Sequence, residues 1–346
     1  MLIAANSTRM FAEASEASSV ALRQRTSNAS LVSALAERLR RLDPQIIFTC
    51  ARGSSDHAAT FAKYLFETRL KVPTISQAPS ISSIYGSSLL HMAGQPFVLI
   101  SQSGKSPDLL LSAEAARKAG ALVIAFVNDV ESPLAQLAEV VVPLHAGLEE
   151  SVAATKSYLA SLTALVHLAA EWSSDRDLQS ASHALPESLE AAWAADWSAG
   201  LDLFADVRNM FVLGRGLTLG VAQEAALKFK ETSGIHAEAF SIAEVAHGPM
   251  ALVKPGFPLL VFPPLDQAAA GLGAIIEQFV SRGANIAVAG GSFDGTAQLP
   301  LARGLHSVTA PIAMVQSFYA LVNALSVARG YNPDHPPMLN KVTETR

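Results

Sequence analysis

Three ionisable residues lie at helical spacing in the stretch GVAQEAALKFKETSG: Glu224, Lys228 and Glu231. Positions i, i+4 and i+7 share one side of a helix. A solvated face with a Glu–Lys ion pair is the simpler interpretation of this spacing. However, the helix follows Gly214-Arg215-Gly216 at the end of an apolar run, so its first turns should face the mouth of a sheet, where substrates bind. Glu231 is therefore a candidate proton carrier.

The stretch SIAEVAHGPM adds a histidine three residues after a glutamate, His247 after Glu244. One interpretation is a core histidine whose ring nitrogens are satisfied by hydrogen bonds. The other is a group that opens a sugar ring, because a histidine titrates near neutral pH and can move a proton between the ring oxygen and the anomeric hydroxyl. The spacing alone favours neither.

Lys341 lies close to the C-terminus, in NPDHPPMLNKVTETR. The usual interpretation of a terminal lysine is a solvated charge. The alternative is an amine that forms a Schiff base with a carbonyl carbon, which requires burial to lower its pKa.

Small polar residues end an apolar run at Ser101-Gln102-Ser103-Gly104, and Ser106 follows. The hydroxyls and the helix N-terminus behind them could bind a phosphate, and the glycine lets the backbone approach it. Helix capping would explain one such turn. However, Gly53-Ser54-Ser55 occupies the corresponding turn one unit earlier, and Thr155-Lys156 opens another helix. Three hydroxyl-rich helix entries exceed what capping needs, so we predict a phosphate site.

The chain repeats itself at an offset of 163 residues, which places Ala51-Arg52-Gly53 on Gly214-Arg215-Gly216. Apolar runs in each half alternate with helical stretches, a pattern that predicts parallel βαβ units buried on both faces. The predicted strands are 46–50, 97–101, 121–127, 140–144, 210–213, 258–262 and 285–289. The second half has Pro263-Pro264-Leu265 where the first has Ser101-Gln102-Ser103, so only the first half should hold phosphate.

These elements predict an α/β fold with two tandem doubly wound parallel-sheet domains and a C-terminal tail. The expected divisions are a first domain with an N-terminal helix, a helical connector, a second domain with the Glu224 helix, and a tail that carries Lys341: residues 1–175, 176–205, 206–330 and 331–346.

Composition limits the partners. The 346 residues are 50% hydrophobic and 16% charged, with a net charge of −5 and no basic stripe, so we expect no nucleic-acid partner. The single cysteine, Cys50, excludes an intramolecular disulfide. Asp56-His57 and Asp334-His335 are isolated pairs, so we predict neither a metal site nor a cofactor.

Residues 310–328 form the longest apolar stretch, but polar side chains interrupt it, so we expect a core helix and not a membrane span. The N-terminus does not resemble a signal peptide. We therefore expect a cytoplasmic protein with no membrane partner.

Taken together, the motifs resemble those of the sugar isomerase (SIS) family, and within it the isomerase halves of glutamine:fructose-6-phosphate aminotransferases. The matching stretches occur in family order from about residue 45 to the end: ISQSGKSPDLL, GLEESVAATKSYLASL, LGRGLTLGVAQEAALKFKETSGIHAEAF, EVAHGPMALV and NKVTET. The resemblance implies two tandem SIS domains that act on a hexose phosphate.

The same resemblance implies roles for individual residues. Glu231 would carry a proton between C1 and C2, with Lys228 near the sugar hydroxyls and Glu224 beside it. His247 would assist ring opening in the neighbouring subunit of a homodimer, and Lys341 would form an imine with the keto sugar. The implied phosphate contacts are Ser55, Ser101, Gln102, Ser103 and Ser106, with Gly53, Ser54 and Thr155 as further substrate contacts.

The sequence departs from those aminotransferases at three places. Lys105 stands where they have a glutamate, the terminal segment around Lys341 is altered, and Leu2 follows Met1 where their mature chains begin with a catalytic cysteine. We therefore expect no ammonia from glutamine, and the reverse reaction becomes the leading hypothesis. It resembles that of free-standing SIS deaminases, which convert glucosamine 6-phosphate to fructose 6-phosphate and ammonia through a cis-enolamine.

Three alternatives remain at this stage. One is a deglycase that acts on fructosamine 6-phosphates, and another is an isomerase like the aminotransferases but without the glutaminase half. The third belongs to a different class, a sugar-phosphate sensor without catalysis. Sensors of this family usually carry a helix-turn-helix domain, for which the first 44 residues are too few.

Overall fold

A computed structural model describes residues 4–87 and 91–341, which divide into two compact units. The first unit comprises residues 19–149, 156–185 and 340–341, and the second comprises residues 4–18, 150–155 and 186–339. Each unit therefore takes residues from more than one stretch of the chain.

Each unit contains one five-stranded sheet, and every pairing within it is parallel. The strands are β1 Ile47–Cys50, β2 Thr74–Ser76, β3 Pro96–Ser101, β4 Leu122–Val127, β5 Val140–Pro143, β6 Asn209–Gly214, β7 His236–Ser241, β8 Pro258–Val261, β9 Asn285–Ala289 and β10 Ala297–Leu299. Their order is β2-β1-β3-β4-β5 in the first unit and β10-β9-β8-β6-β7 in the second. Starting from the edge strands β2 and β7, both sheets place the strands of their unit in the order second, first, third, fourth and fifth. This identity confirms the duplication and the fold class.

Helices cover both faces of each sheet, as buried parallel strands require. They are α1 Arg9–Ser15, α2 Ala17–Leu42, α3 Ser54–Leu65, α4 Pro79–Ser83, α5 Pro107–Lys118, α6 Pro133–Leu137, α7 Lys156–Ser173, α8 Arg176–His183, α9 Leu185–Trp193, α10 Ser198–Phe204, α11 Leu217–Ser233, α12 Leu272–Ser281 and α13 Ala310–Ala328. In the first unit, α3 packs with α7 and α5 packs with α4 and α6. In the second, α11 packs with α13, and α12 belongs to the core on the opposite face.

All seven predicted strands are present, but β2, β7 and β10 were missed. Each missed strand lies at an edge of its sheet. Edge strands are only partly buried, so their side chains do not form the continuous apolar run used for the prediction.

Helix α13 is the apolar stretch at 310–328. It has the length and hydropathy of a membrane span, but 83% of its most apolar stretch is buried inside the protein. Its Phe318 ring contacts Phe229 of α11 at a centroid distance of 5.1 Å. The expectation of a core helix is confirmed.

The turns that follow β1 and β6 have the same unusual backbone. Gly53 has φ 56° and ψ −134°, and Gly216 has φ 61° and ψ −129°. This region is open to glycine and strained for other residues. The last glycine of the Ala-Arg-Gly and Gly-Arg-Gly motifs is therefore favoured by the backbone that leads into α3 and α11.

Two acidic side chains hold α1 in the second unit. The carboxylate of Glu13 accepts hydrogen bonds from the backbone N–H of Glu150 and from the N–H and hydroxyl of Ser151. Asp334 accepts from the N–H groups of Arg9 and Met10, at the start of the helix. Helix α1 is therefore bound both to the segment 150–155 and to the residues around 334, all within the second unit.

Candidate active site

Helix α11 carries a buried cluster of opposite charges. Lys228 is 1% exposed, and its Nζ lies 2.5 Å from Glu231 Oε2 and 3.6 Å from Glu224 Oε1. Glu224 is fully buried. Charges withdrawn from water are tolerated only when they are paired and hydrogen-bonded. The simpler interpretation of a solvated ion pair is therefore wrong for Glu224 and Lys228.

Tyr319 of α13 completes this cluster. Its hydroxyl donates a hydrogen bond to Glu224 Oε1 at 3.0 Å. Tyr319 was not predicted from the sequence. The available signal was a tyrosine inside an apolar helix, since a buried phenol normally finds a hydrogen-bond partner.

Glu231 is the accessible member of the cluster, with 22% of its side chain exposed. One carboxylate oxygen is held by Lys228, so the other is available to take a proton from a substrate. The cluster therefore has the composition of a general base that is oriented by a buried ammonium.

The position of the cluster along α11 differs from the prediction. Glu231 is the fifteenth of seventeen helical residues, so it lies about 20 Å along the axis from Leu217. A helix that links parallel strands runs back towards the amino ends of the strands. The expectation that these groups lie in the first turns, at the mouth of the second sheet, was wrong.

His247 lies in the irregular segment that follows β7. It is exposed, and it makes no side-chain hydrogen bond or ion pair within the part of the chain that the structure describes. The interpretation as a satisfied core histidine is therefore wrong, and the imidazole is open to a ligand or to another chain.

The turn between β3 and α5 contains most of the predicted phosphate contacts. The Ser101 hydroxyl accepts a hydrogen bond from the Gly104 N–H at 3.0 Å, and the Ser103 hydroxyl accepts from the Lys105 N–H at 3.3 Å. Both hydroxyls keep their protons for a further acceptor. Ser106 is the N-cap of α5, but its side chain makes no capping bond. These groups form a set of donors at a helix N-terminus.

The turn between β1 and α3 lies beside it, because β1 and β3 are neighbours. Strand order reverses between these two strands, and this is where open α/β sheets bind ligands. Ser54 and Ser55 are half-buried there, and α3 has no side-chain cap. The structure thus brings the two predicted turns to one edge of the first sheet. Thr155 is fully buried and belongs to the second unit.

Lys341 is paired with a carboxylate that was not predicted from the sequence. Its Nζ lies 3.1 Å from Glu149 Oε2, and the lysine side chain is 24% exposed. Glu149 is itself held by the N–H and hydroxyl of Ser157, at 3.1 and 2.6 Å. The interpretation of Lys341 as a freely solvated charge is therefore wrong.

The departure at Lys105 is compensated locally. Its Nζ lies 3.0 Å from Asp129 Oδ2. The hydrogen bond from Lys105 lowers the pKa of the Asp129 carboxyl below its usual value. The charge of Lys105 is therefore balanced by a partner on the neighbouring β4–α6 connection.

The two parallel sheets of identical strand order, with the serine-rich turns at the carboxyl ends of β1 and β3, define a tandem α/β protein of the SIS type. The sequence profile of the SIS domain matches residues 43–171 and 203–329, and the chain belongs to the SIS domain family.

Relatives within the family have similar sequences and structures. The chain is 34% identical over 332 residues to the isomerizing glutamine–fructose-6-phosphate aminotransferase of Thermococcus kodakarensis, an alignment that covers 91% of this chain and 54% of the relative. It therefore spans about half the length of the aminotransferases that it matches.

Two crystal structures are similar over nearly the whole chain. A candidate phosphosugar isomerase from Silicibacter pomeroyi has a TM-score of 0.90 at 40% identity, covering 94% of this chain and 100% of the other. The C-terminal domain of the glucosamine-fructose-6-phosphate aminotransferase from Francisella tularensis has a TM-score of 0.83 at 27% identity, covering 95% and 98%.

Proposed function

We propose that this protein converts glucosamine 6-phosphate and water to fructose 6-phosphate and ammonia. The observation that carries the proposal is the pair formed by Glu231 and buried Lys228, because it provides an oriented and accessible carboxylate base. The donors of Ser101, Ser103 and Ser106 support a phosphate group on the substrate.

In the proposed reaction, His247 helps to open the sugar ring. The Glu231 carboxylate then removes the proton from C2 of the aldehyde form, and a cis-enolamine results. Return of the proton to C1 gives a ketimine at C2. Lys341 Nζ adds to this carbon and displaces ammonia, and water hydrolyses the lysine imine to release the ketone. The sum consumes one water and releases one ammonia.

Glu149 supports the role proposed for Lys341. A carboxylate at 3.1 Å stabilises both the ammonium and the positively charged imine that replaces it. The lysine must lose a proton before it attacks, and Glu149 is close enough to take it.

The first experiment measures ammonia and fructose 6-phosphate released from glucosamine 6-phosphate by the purified protein. Glu231→Gln keeps the shape but not the base, and it should lower kcat between about a hundredfold and ten-thousandfold. Glu277→Gln, an exposed position on α12, is the matched control. Absence of product from the parent protein would contradict the proposal. Turnover of fructosamine 6-phosphates would then indicate a deglycase, and a thermal shift without product would indicate a sensor.

We also propose a homodimer in which His247 acts at the neighbouring subunit's site. Its exposed, unengaged imidazole supports this arrangement. A mixture of inactive His247→Asn and Glu231→Gln chains should regain activity, because some mixed dimers contain one intact site. Light scattering that shows only monomers would contradict the arrangement.

A further inference from the structure

An ion pair joins the two turns at the carboxyl edge of the first sheet. Arg52, in the β1–α3 turn, lies with its Nε 2.8 Å and its Nη2 2.7 Å from Oδ2 of Asp108. Asp108 lies in the first turn of α5 and is fully buried, whereas about half of the Arg52 side chain is exposed. Two N–H groups on one carboxylate fix the guanidinium more firmly than a single bond would.

The other oxygen of Asp108 has a separate role. Oδ1 accepts a hydrogen bond from the N–H of Leu109 at 2.8 Å, so the carboxylate is bound to the helix that carries it. Arg52 is followed by Gly53, Ser54 and Ser55. The pair therefore ties the turn with Ser55 to the start of the helix that follows Ser101–Ser106.

The second repeat offers an internal comparison. Arg215 occupies the position of Arg52, after β6. At the offset of 163 residues, Asp108 of α5 falls on Gly271, the N-cap of α12, which has no carboxylate. Arg215 instead donates to the carbonyl oxygen of Ala270 at 3.3 Å. The arginine occurs in both repeats, but its acidic partner accompanies only the turn that carries the serines.

We propose that Arg52, through Asp108, is a positioning residue for the phosphate group of the substrate. This inference rests on the proposed function and deepens it. The charge of Arg52 is already balanced by Asp108, so the arginine is not the counterion of the phosphate. It sets the separation between Ser55 and the Ser101–Ser106 turn, so that hydroxyls from both turns meet one phosphate. Small displacements of preorganised groups have large effects on binding.

The test is titration calorimetry with fructose 6-phosphate and with fructose. Arg52→Met removes the charge, Arg52→Lys keeps the charge without the paired N–H groups, and Asp108→Asn removes the buried acceptor charge. We expect each variant to raise the Kd for fructose 6-phosphate about tenfold or more, because the two turns are no longer held together. A variant that combines Arg52→Met with Asp108→Asn should have a Kd no higher than that of the weaker-binding single variant, since both substitutions break the same interaction.

Arg38→Met is the matched control. Arg38 forms an exposed pair with Glu139 elsewhere in the same unit, and its loss should leave the Kd unchanged. The kinetic readout separates positioning from general damage: KM for glucosamine 6-phosphate should rise more than kcat falls.

Several results would overturn the inference. An unchanged Kd in Arg52→Met would do so, and that variant decides the matter if Asp108→Asn does not fold. Tighter binding by Asp108→Asn would also do so, since it would mean that the released arginine binds phosphate directly. Failure of the parent protein to bind fructose 6-phosphate more tightly than fructose would overturn the proposed function as well.

Discussion

The two repeats have the same strand order but place their polar groups in different elements. In the first unit the turns are polar, with Ser101, Gln102 and Ser103 after β3. The second unit has Pro263, Pro264 and Leu265 after β8. In α11 of the second unit, by contrast, buried charged residues occupy positions that are apolar in α3 of the first unit. At the offset of 163 residues, the buried Glu224 and Lys228 of α11 fall on Phe61 and Leu65 of α3, which are fully buried core residues.

Equivalent hydroxyls in the two repeats show the same contrast. Thr218 corresponds to Ser55. The Thr218 hydroxyl is used internally, since it donates to the carbonyl oxygen of Phe262 at 2.8 Å and accepts from the Arg215 N–H at 2.9 Å. Ser55 is half-buried and makes no side-chain hydrogen bond to another described residue. One duplicated fold thus provides donors in one copy and a buried charge cluster in the other.

Removal of the buried Lys228 charge should have the largest effect on stability. Lys228→Met leaves the Glu224 carboxylate buried without its cation, so we expect the free energy of unfolding to fall by about 3–5 kcal/mol. Leu65→Met, at the equivalent apolar position, should cost less than about 1.5 kcal/mol. Urea unfolding followed by circular dichroism measures both. Equal losses would mean that the cluster is not held by charge, and Glu224→Gln in the Lys228→Met background should recover part of the loss.

Substitution of the equivalent hydroxyl residues Thr218 and Ser55 should have effects of intermediate size. Thr218→Val should lower the free energy of unfolding by about 1–3 kcal/mol, because it leaves buried backbone groups without partners, and it should not change phosphate affinity. Ser55→Ala should do the opposite, with unchanged thermal stability and a Kd for fructose 6-phosphate raised about tenfold. If both substitutions lower the stability and neither changes the Kd, the proposed difference between the two hydroxyls is wrong.

The exposed charge in the serine turn should have the smallest effect. Lys105 lowers the pKa of Asp129 from 3.8, so the pair stabilises the fold above that pH, and the contribution disappears as the pH falls through the lower folded value. Both side chains are well exposed, which limits the effect to less than about 1 kcal/mol. The thermal unfolding temperature of Lys105→Met should lie slightly below that of the parent at pH 7, and the difference should shrink as the pH falls below 3.8. A large difference that persists at low pH would show that Lys105 does more than pair with Asp129.

Sequence patterns predicted the interior of each sheet well and its edges poorly. The interior strands, such as β3 and β4, are continuous apolar runs because helices cover both faces. The edge strands β2, β7 and β10 are short or partly exposed, and no local signal distinguishes them from loops. The repeat was visible because its turn glycines are favoured by the backbone.

The candidate site was predictable only where its residues are close in sequence. Helical spacing grouped Glu224, Lys228 and Glu231 correctly, but it could not show that two of them are buried. Tyr319 is 95 residues from Glu224, and Lys341 is 192 residues from Glu149, so spacing contains no trace of either contact. The pairing of Arg52 with Asp108 was invisible for the same reason.

The hydrogen bonds that hold α1 have a consequence for folding during translation. The N–H groups of Arg9 and Met10 donate hydrogen bonds to Asp334, and Glu13 accepts a hydrogen bond from Ser151. A ribosome makes α1 before the rest of the second unit, and its partner Asp334 emerges more than three hundred residues later. The strands of the first unit can pair during translation, whereas the contacts of α1 with Asp334 close a very long loop and cannot form until residue 334 has been made. We therefore expect the assembly of the second unit to be the slow step in folding.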